Sequence, residues 1–203
     1  MFFYDLPRFS VDLDFNLLAG DKSEIVFQKI RKILLNYGQI RDEAAKHFGL
    51  ILVLDYGEQE RNLKIEISNR VFDDSYETKN YLGIPIKVMV KPDMFAHKLC
   101  ALLDRNMIAN RDIFDVYHFM QQKTPINKNI VEKRMKMEVK QYMDLCIKTI
   151  EKLPEKKLLN GIGELVDPNI KTFVRTQLKD ETIQLLKMYR EFPLLSENSG
   201  LKK

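Results

Sequence analysis

The stretch Arg8-Phe9-Ser10-Val11-Asp12-Leu13-Asp14-Phe15 alternates strictly, placing Phe9, Val11, Leu13 and Phe15 on one face of an extended chain and Ser10, Asp12 and Asp14 on the other. The spacing predicts a half-buried strand over 9–15 with two acids on its polar face. Aspartate is a poor strand former, so two in one short strand ask for a reason. Carboxylates at i and i+2 have their bases about 7 Å apart and can lean toward one divalent cation. Further along, Leu63-Lys64-Ile65-Glu66-Ile67 alternates again, with Glu66 on its polar side. A metal pair that clamps the attacking and leaving oxygens of phosphoryl transfer requires three converging acids. Asp12, Asp14 and Glu66 are therefore the candidate metal ligands. On the solvated side of an antiparallel sheet the same residues would simply face water, and on pattern alone both readings stand.

Outward from these strands, Asp21 and Glu24 have capping-box-like spacing. Ile25, Ile30, Ile33, Leu34 and Tyr37 then recur at helical intervals, so a helix is expected over about 22–37, ending at Gly38. Leu50 to Leu54 reads as a buried strand, and beyond a turn at Gly57 it forms a hairpin with the Glu66 strand. Gly83 and Pro85 precede a short strand from Ile86 to Val90. Lys91-Pro92-Asp93 then opens a helix with proline in its first turn. The remainder reads as helices at about 92–105, 111–122, 129–152, 169–178 and 180–191, with a polar tail from Pro193. The expected class is α+β, a small mixed sheet followed by a helical C-terminal lobe, with domains at 1–91 and 92–203.

Two hundred and three residues suit one domain or two close-packed lobes. With 45% hydrophobic residues, 12 Phe and 8 Tyr, the composition excludes a disordered chain. There is no apolar run of about 18 residues, and Asp5, Arg8, Asp12 and Asp14 interrupt the start. The expectation is a cytoplasmic protein with neither a membrane span nor a signal peptide. Cys100 and Cys146 lie in helical apolar patterns without metal-ligand spacing and are expected to be buried thiols. The formal charge of +4 lies wholly beyond residue 130, since residues 1–130 hold 18 Lys+Arg and 18 Asp+Glu and residues 131–203 hold 15 and 11. A phosphate backbone or plain solvent suits that surplus equally well.

In the first long helix Phe95, Leu99, Leu102 and Leu103 form a core stripe, while Lys98 and Arg105, seven apart, share another face. In the next, Arg111, Asp115 and His118 share a face, with Arg111 and Asp115 spaced for a surface ion pair. Such residues are ordinary solvated charges, or else Lys98 and Arg105 reach a triphosphate while Arg111 and Asp115 brace the helices. His47, His97 and His118 are scattered and match no metal or nucleophile motif.

Taken together, Arg8-Phe9-Ser10-Val11-Asp12-Leu13-Asp14-Phe15, Lys64-Ile65-Glu66-Ile67, Lys98-Leu99-Cys100-Ala101-Leu102 with Arg105, and Arg111-Asp112-Ile113-Phe114-Asp115 resemble the AbiEii nucleotidyltransferase-like toxin family, in order, over residues 1–122. The resemblance implies a fold like that of DNA polymerase beta-type nucleotidyltransferases. It implies Mg2+ held by Asp12, Asp14 and Glu66, and an NTP as substrate. Lys98, Asp112 and Asp115 would join the acids in catalysis, and Arg8, Ser10, Lys98, Arg105 and Arg111 would bind substrate. The acceptor would be an RNA, tRNA included, and the partner a cognate antitoxin in a toxin–antitoxin or phage-defence pair.

One family feature has no counterpart. A Gly-Gly-Thr or Gly-Ser turn, whose amides cradle the incoming phosphates, is expected ten to twenty residues before the Asp-x-Asp strand, and Met1 to Pro7 contains no glycine. The resemblance then implies an upstream start or loss of that element. A strand lost from the sheet would bare an edge that a second copy of the chain, in a homodimer, could cover. Two functions follow: a magnesium-dependent nucleotidyltransferase, or a catalytically impaired relative that binds nucleotide, RNA or protein.

Overall fold

The computed structural model describes residues 3–10, 12–18, 22–46, 48–57, 62–105 and 107–196. Met1, Val11, Asp21, His47 and the tail beyond residue 196, all invoked above, lie outside the described residues. The chain divides by contact into two compact units, one of residues 10–71 and one of residues 1–9 with 72–203.

The smaller unit is built on a four-stranded mixed sheet. Its elements are β1 (Asp12–Asn16), α1 (Ser23–Leu34), β2 (Gln39–Lys46), β3 (Gly49–Asp55) and β4 (Leu63–Ser68), with strand order β1-β4-β3-β2. β3 and β4 form the expected antiparallel hairpin, and β1 joins β4 in parallel. Leu50, Leu52, Leu54, Ile65 and Ile67 alternate onto one face and pack with Phe27 and Leu34 of α1. Gly38 ends the turn from α1 into β2, where a Cβ would come within 2.2 Å of the Asp55 carbonyl oxygen, so only glycine fits that approach. β2 was not expected. Its sequence, Gln-Ile-Arg-Asp-Glu-Ala-Ala-Lys, is mostly polar because it is an outer strand, and a bulge between Ile40 and Asp42 breaks the alternation.

The expectation of a half-buried β1 is corrected. Leu13 is 38% and Phe15 51% exposed. α1 packs on β2 and β3, and β1 lies at the far side of the sheet from β2, so the helix does not cover its apolar face.

The larger unit contains a hairpin, β5 (Tyr76–Tyr81) and β6 (Ile84–Met89), followed by α2 (Lys91–Ala101), α3 (Asn110–Gln121), α4 (Lys128–Met135), α5 (Val139–Glu151), α6 (Pro168–Thr176) and α7 (Leu178–Glu191). The hairpin turns through Leu82 and Gly83, both at positive φ, the twist that a two-residue hairpin needs. Phe95, Leu99, Ile113, Phe119, Tyr142, Met143 and Tyr189 fill the helical core. The Tyr142 hydroxyl lies 2.9 Å from the carbonyls of Leu99 and Cys100. Tyr4 and Leu6 join this core, and the Tyr4 hydroxyl donates to the Met89 carbonyl. Cys100 and Cys146 are buried free thiols, as expected. Among the described residues no helix is long and apolar enough to cross a membrane.

Two helix expectations are corrected. The single helix expected over 129–152 is two, α4 and α5, because Lys136 adopts a left-handed conformation (φ 55°) and its amide caps the Glu132 carbonyl. Glu132 then accepts the amide of Val139 at the start of α5. The helix expected over 92–105 ends at Ala101, so Arg105 lies beyond it and shares no helix face with Lys98.

Candidate active site

Within the smaller unit, the β1–β4 register pairs Asp12 with Lys64 and Asp14 with Glu66. Laterally paired residues project to the same side of a sheet, so these four share the face opposite Ile65 and Ile67, on strands about 4.8 Å apart. The Lys64 ammonium donates to Glu66 at 2.5 Å, with both side chains partly exposed. Ser10 donates its hydroxyl to the Asp12 carbonyl at 3.1 Å, fixing the entry to β1. Among the described residues no three or more His, Cys, Asp or Glu side chains stand close enough together to grip an ion as they are placed. The donor set nonetheless fits magnesium by its chemistry: three carboxylates, hard oxygen ligands, on two adjoining strands and one face. Lys64, the cation now against Glu66, carried no assigned role in the sequence reading. Its signal was available, since Lys64 and Glu66 are two apart on one strand and so share a side.

Within the larger unit the candidate residues gather around the start of α3. Asp115 is fully buried and is held from two directions. Arg8 grips it bidentately, Nε to Oδ1 at 2.5 Å and a terminal nitrogen to Oδ2 at 2.7 Å, while Lys98 Nζ reaches Oδ2 at 2.9 Å. Burial alone would raise the Asp115 pKa, but the Arg8 hydrogen bonds and the Lys98 charge outweigh it and hold the carboxyl below its ordinary range. The expected Arg111–Asp115 surface pair is therefore replaced by a buried three-residue clamp. Its partner Arg8 lies 107 positions away along the chain, where no periodicity argument could find it.

Asp112, one turn earlier on α3, is also buried, and its Oδ2 has no hydrogen-bond partner among the described residues. Burial pushes its pKa up, opposed by the charges of Lys98 and Arg105. Arg105 is half exposed and approaches Oδ2 only to 3.9 Å, too far for a hydrogen bond. Two carboxylates three apart on one helix thus have pKa values displaced in opposite directions. Of the three histidines, His97 Nε2 lies 2.7 Å from Asp74, and its Nδ1 faces Arg134 at 2.7 Å. His118 contacts Gln122, and burial lowers its pKa.

Two crystal structures from Helicobacter pylori are similar in fold. JHP933 is 19% identical with TM-score 0.53, over 93% of this chain and 79% of that one. A candidate nucleotidyltransferase is 19% identical with TM-score 0.60, over 94% of this chain and 82% of that one. No curated relative matches the chain at a significant level. The family model of the nucleotidyl transferase AbiEii toxins of type IV toxin–antitoxin systems matches residues 1–191, nearly the whole chain, and the chain belongs to that family.

Proposed function

We propose that this protein is a magnesium-dependent nucleotidyltransferase that moves a nucleoside monophosphate from an NTP to a hydroxyl of an RNA acceptor, tRNA included. In this reading it is the toxin of a toxin–antitoxin or phage-defence pair and acts in the cytoplasm, with a cognate antitoxin as partner. The observation that supports this reading most is the parallel β1–β4 register, which puts Asp12, Asp14 and Glu66 on one sheet face in a chain of the AbiEii family. Magnesium bound there would neutralise charge on the transferred phosphoryl group and on the departing pyrophosphate.

The chain's own residues have distinct tasks. Asp12, Asp14 and Glu66 would hold the ion, and a carboxylate oxygen of this face takes the proton of the acceptor hydroxyl. The hydroxyl oxygen bonds to the α-phosphorus as the bond to pyrophosphate breaks. Within the helical unit, Asp115 with Arg8 fixes where the Lys98 ammonium sits, a cation suited to phosphate oxygens. Asp112, with an oxygen not engaged in a hydrogen bond, can exchange a proton. The test is incubation with each NTP labelled at the α-phosphate or at the γ-phosphate, with total tRNA and magnesium. The α label should enter RNA, and the γ label should leave as pyrophosphate.

A second reading, a binding module on the same fold, draws on the Lys64–Glu66 pair, in which the third acid already has a cation. Label absent from RNA for all four NTPs, together with retained nucleotide or RNA binding, would favour it.

A further inference from the structure

A cavity of about 350 Å³ opens in the larger unit between the start of α3 and the segment after α5. Its lining combines three cations, Arg105, Arg111 and Lys157, with an apolar floor of Met107, Leu153 and Pro154, and includes no carboxylate. The wall is built rather than incidental. Asn110, the first residue of α3, donates its side-chain amide to the carbonyls of Lys157 (2.7 Å) and Asn160 (3.0 Å), tying the helix start to the facing segment. Gly161 completes that segment at φ +72°, a conformation that L side chains rarely adopt. The N-terminus of α3, the positive end of its dipole, lines the same cavity as the cations. The Lys157 ammonium and the Arg105 guanidinium are exposed, and neither makes a hydrogen bond among the described residues.

We infer that this cavity binds one nucleotide of a single-stranded RNA, with its phosphate on Arg105, Arg111 and Lys157 and its base on Met107, Leu153 and Pro154. The absence of carboxylates from the lining speaks against a metal cation as occupant. The volume, near the lower end of about 300–1,000 Å³ for ligand pockets, suits one nucleotide unit. Sequence-tolerant single-strand binding sets cations for the backbone beside a surface for the bases, a surface that is aliphatic here. Taking the bound strand as the acceptor rests on the function proposed above, whereas RNA binding itself does not.

The test is fluorescence anisotropy of the full chain with a fluorescein-labelled single-stranded RNA of about twelve nucleotides, with no NTP and no magnesium, so its outcome is independent of any transfer activity. Met107→Glu and Lys157→Glu place new charge at exposed positions and should each weaken binding by about tenfold or more. Lys157→Glu should also flatten the salt dependence by about one counterion. Lys140→Glu, an exposed charge reversal on α5, should bind within about twofold of the unmodified chain, a change of under about 0.5 kcal/mol. Unchanged binding by both cavity variants, equal loss in all three, or displacement of the RNA by ATP or CTP at concentrations matched in phosphate would overturn the inference. The last outcome would make the cavity a mononucleotide site, and failure of the unmodified chain to bind RNA would also sink it.

Discussion

At the scale of single residues, the two aspartates of α3 separate structure from chemistry. Asp115 is a buried anion with two cations on it, and removing its charge strands both. Asp115→Asn should therefore destabilise the fold by about 3–5 kcal/mol, seen as a lowered Tm. Because the folded pKa of Asp115 is depressed, its stabilisation is fully present above the ordinary carboxylate range and is lost as pH falls through the folded value. The unmodified chain should lose stability on acidification, and Asp115→Asn should flatten that loss. Asp112 has the opposite sign. Its raised pKa means that ionisation opposes folding, so the folded state is favoured at acid pH and that advantage fades as pH rises through the folded value. Asp112→Asn should leave Tm unchanged or raised at pH 8 while lowering transfer activity. Chemical denaturation between pH 4 and 8 distinguishes the two, and equal destabilisation by both would contradict the assignment.

Lys64 is the other residue with a measurable role. Its partly exposed pair with Glu66 is worth under about 1 kcal/mol, so Lys64→Met should fold normally. Without that cation on Glu66, half-maximal transfer should need less magnesium, by up to about fivefold. A requirement that rises in Lys64→Met would instead make Lys64 part of the working site.

At the scale of elements, what the sequence disclosed followed the strength of its periodicity. The apolar run of β3, the alternation of β4 and the proline-led start of α2 were legible because burial leaves a pattern. β2 was not, since an outer strand with a bulge has neither strict alternation nor an apolar face. The break between α4 and α5 was hidden because Lys136 takes a left-handed conformation without the glycine that ordinarily marks one. That conformation costs a non-glycine residue about 1–2 kcal/mol. Lys136→Gly should therefore stabilise the chain by about 1 kcal/mol and raise Tm by about 2–4 °C. A lowered Tm would mean that the side chain contributes more than the backbone strain costs.

At the scale of the whole molecule, the sequence offered a set of candidate residues but could not sort them into constellations. Asp12, Asp14 and Glu66 could be picked out from two short alternating runs, while the parallel pairing that sets them on one face joins strands far apart in the chain and is legible only in the sheet. The Arg8–Asp115–Lys98 clamp could not, because it joins the N-terminal segment to α2 and α3, and only the packing of Tyr4 and Leu6 into the helical core brings Arg8 there. The candidate residues fall in both compact units: carboxylates on the sheet of one, buried anions and exposed cations on the helices of the other.

The central claim is that the acids of β1 perform nucleotidyl transfer, and the most direct measurement compares the unmodified chain with its Asp12→Ala/Asp14→Ala variant for α-labelled NTP incorporation into total tRNA with magnesium. Both proteins should show the same circular dichroism, and the variant should lose label transfer by at least about a hundredfold. Equal transfer by the two proteins, or none by the unmodified chain with any NTP, would contradict the account.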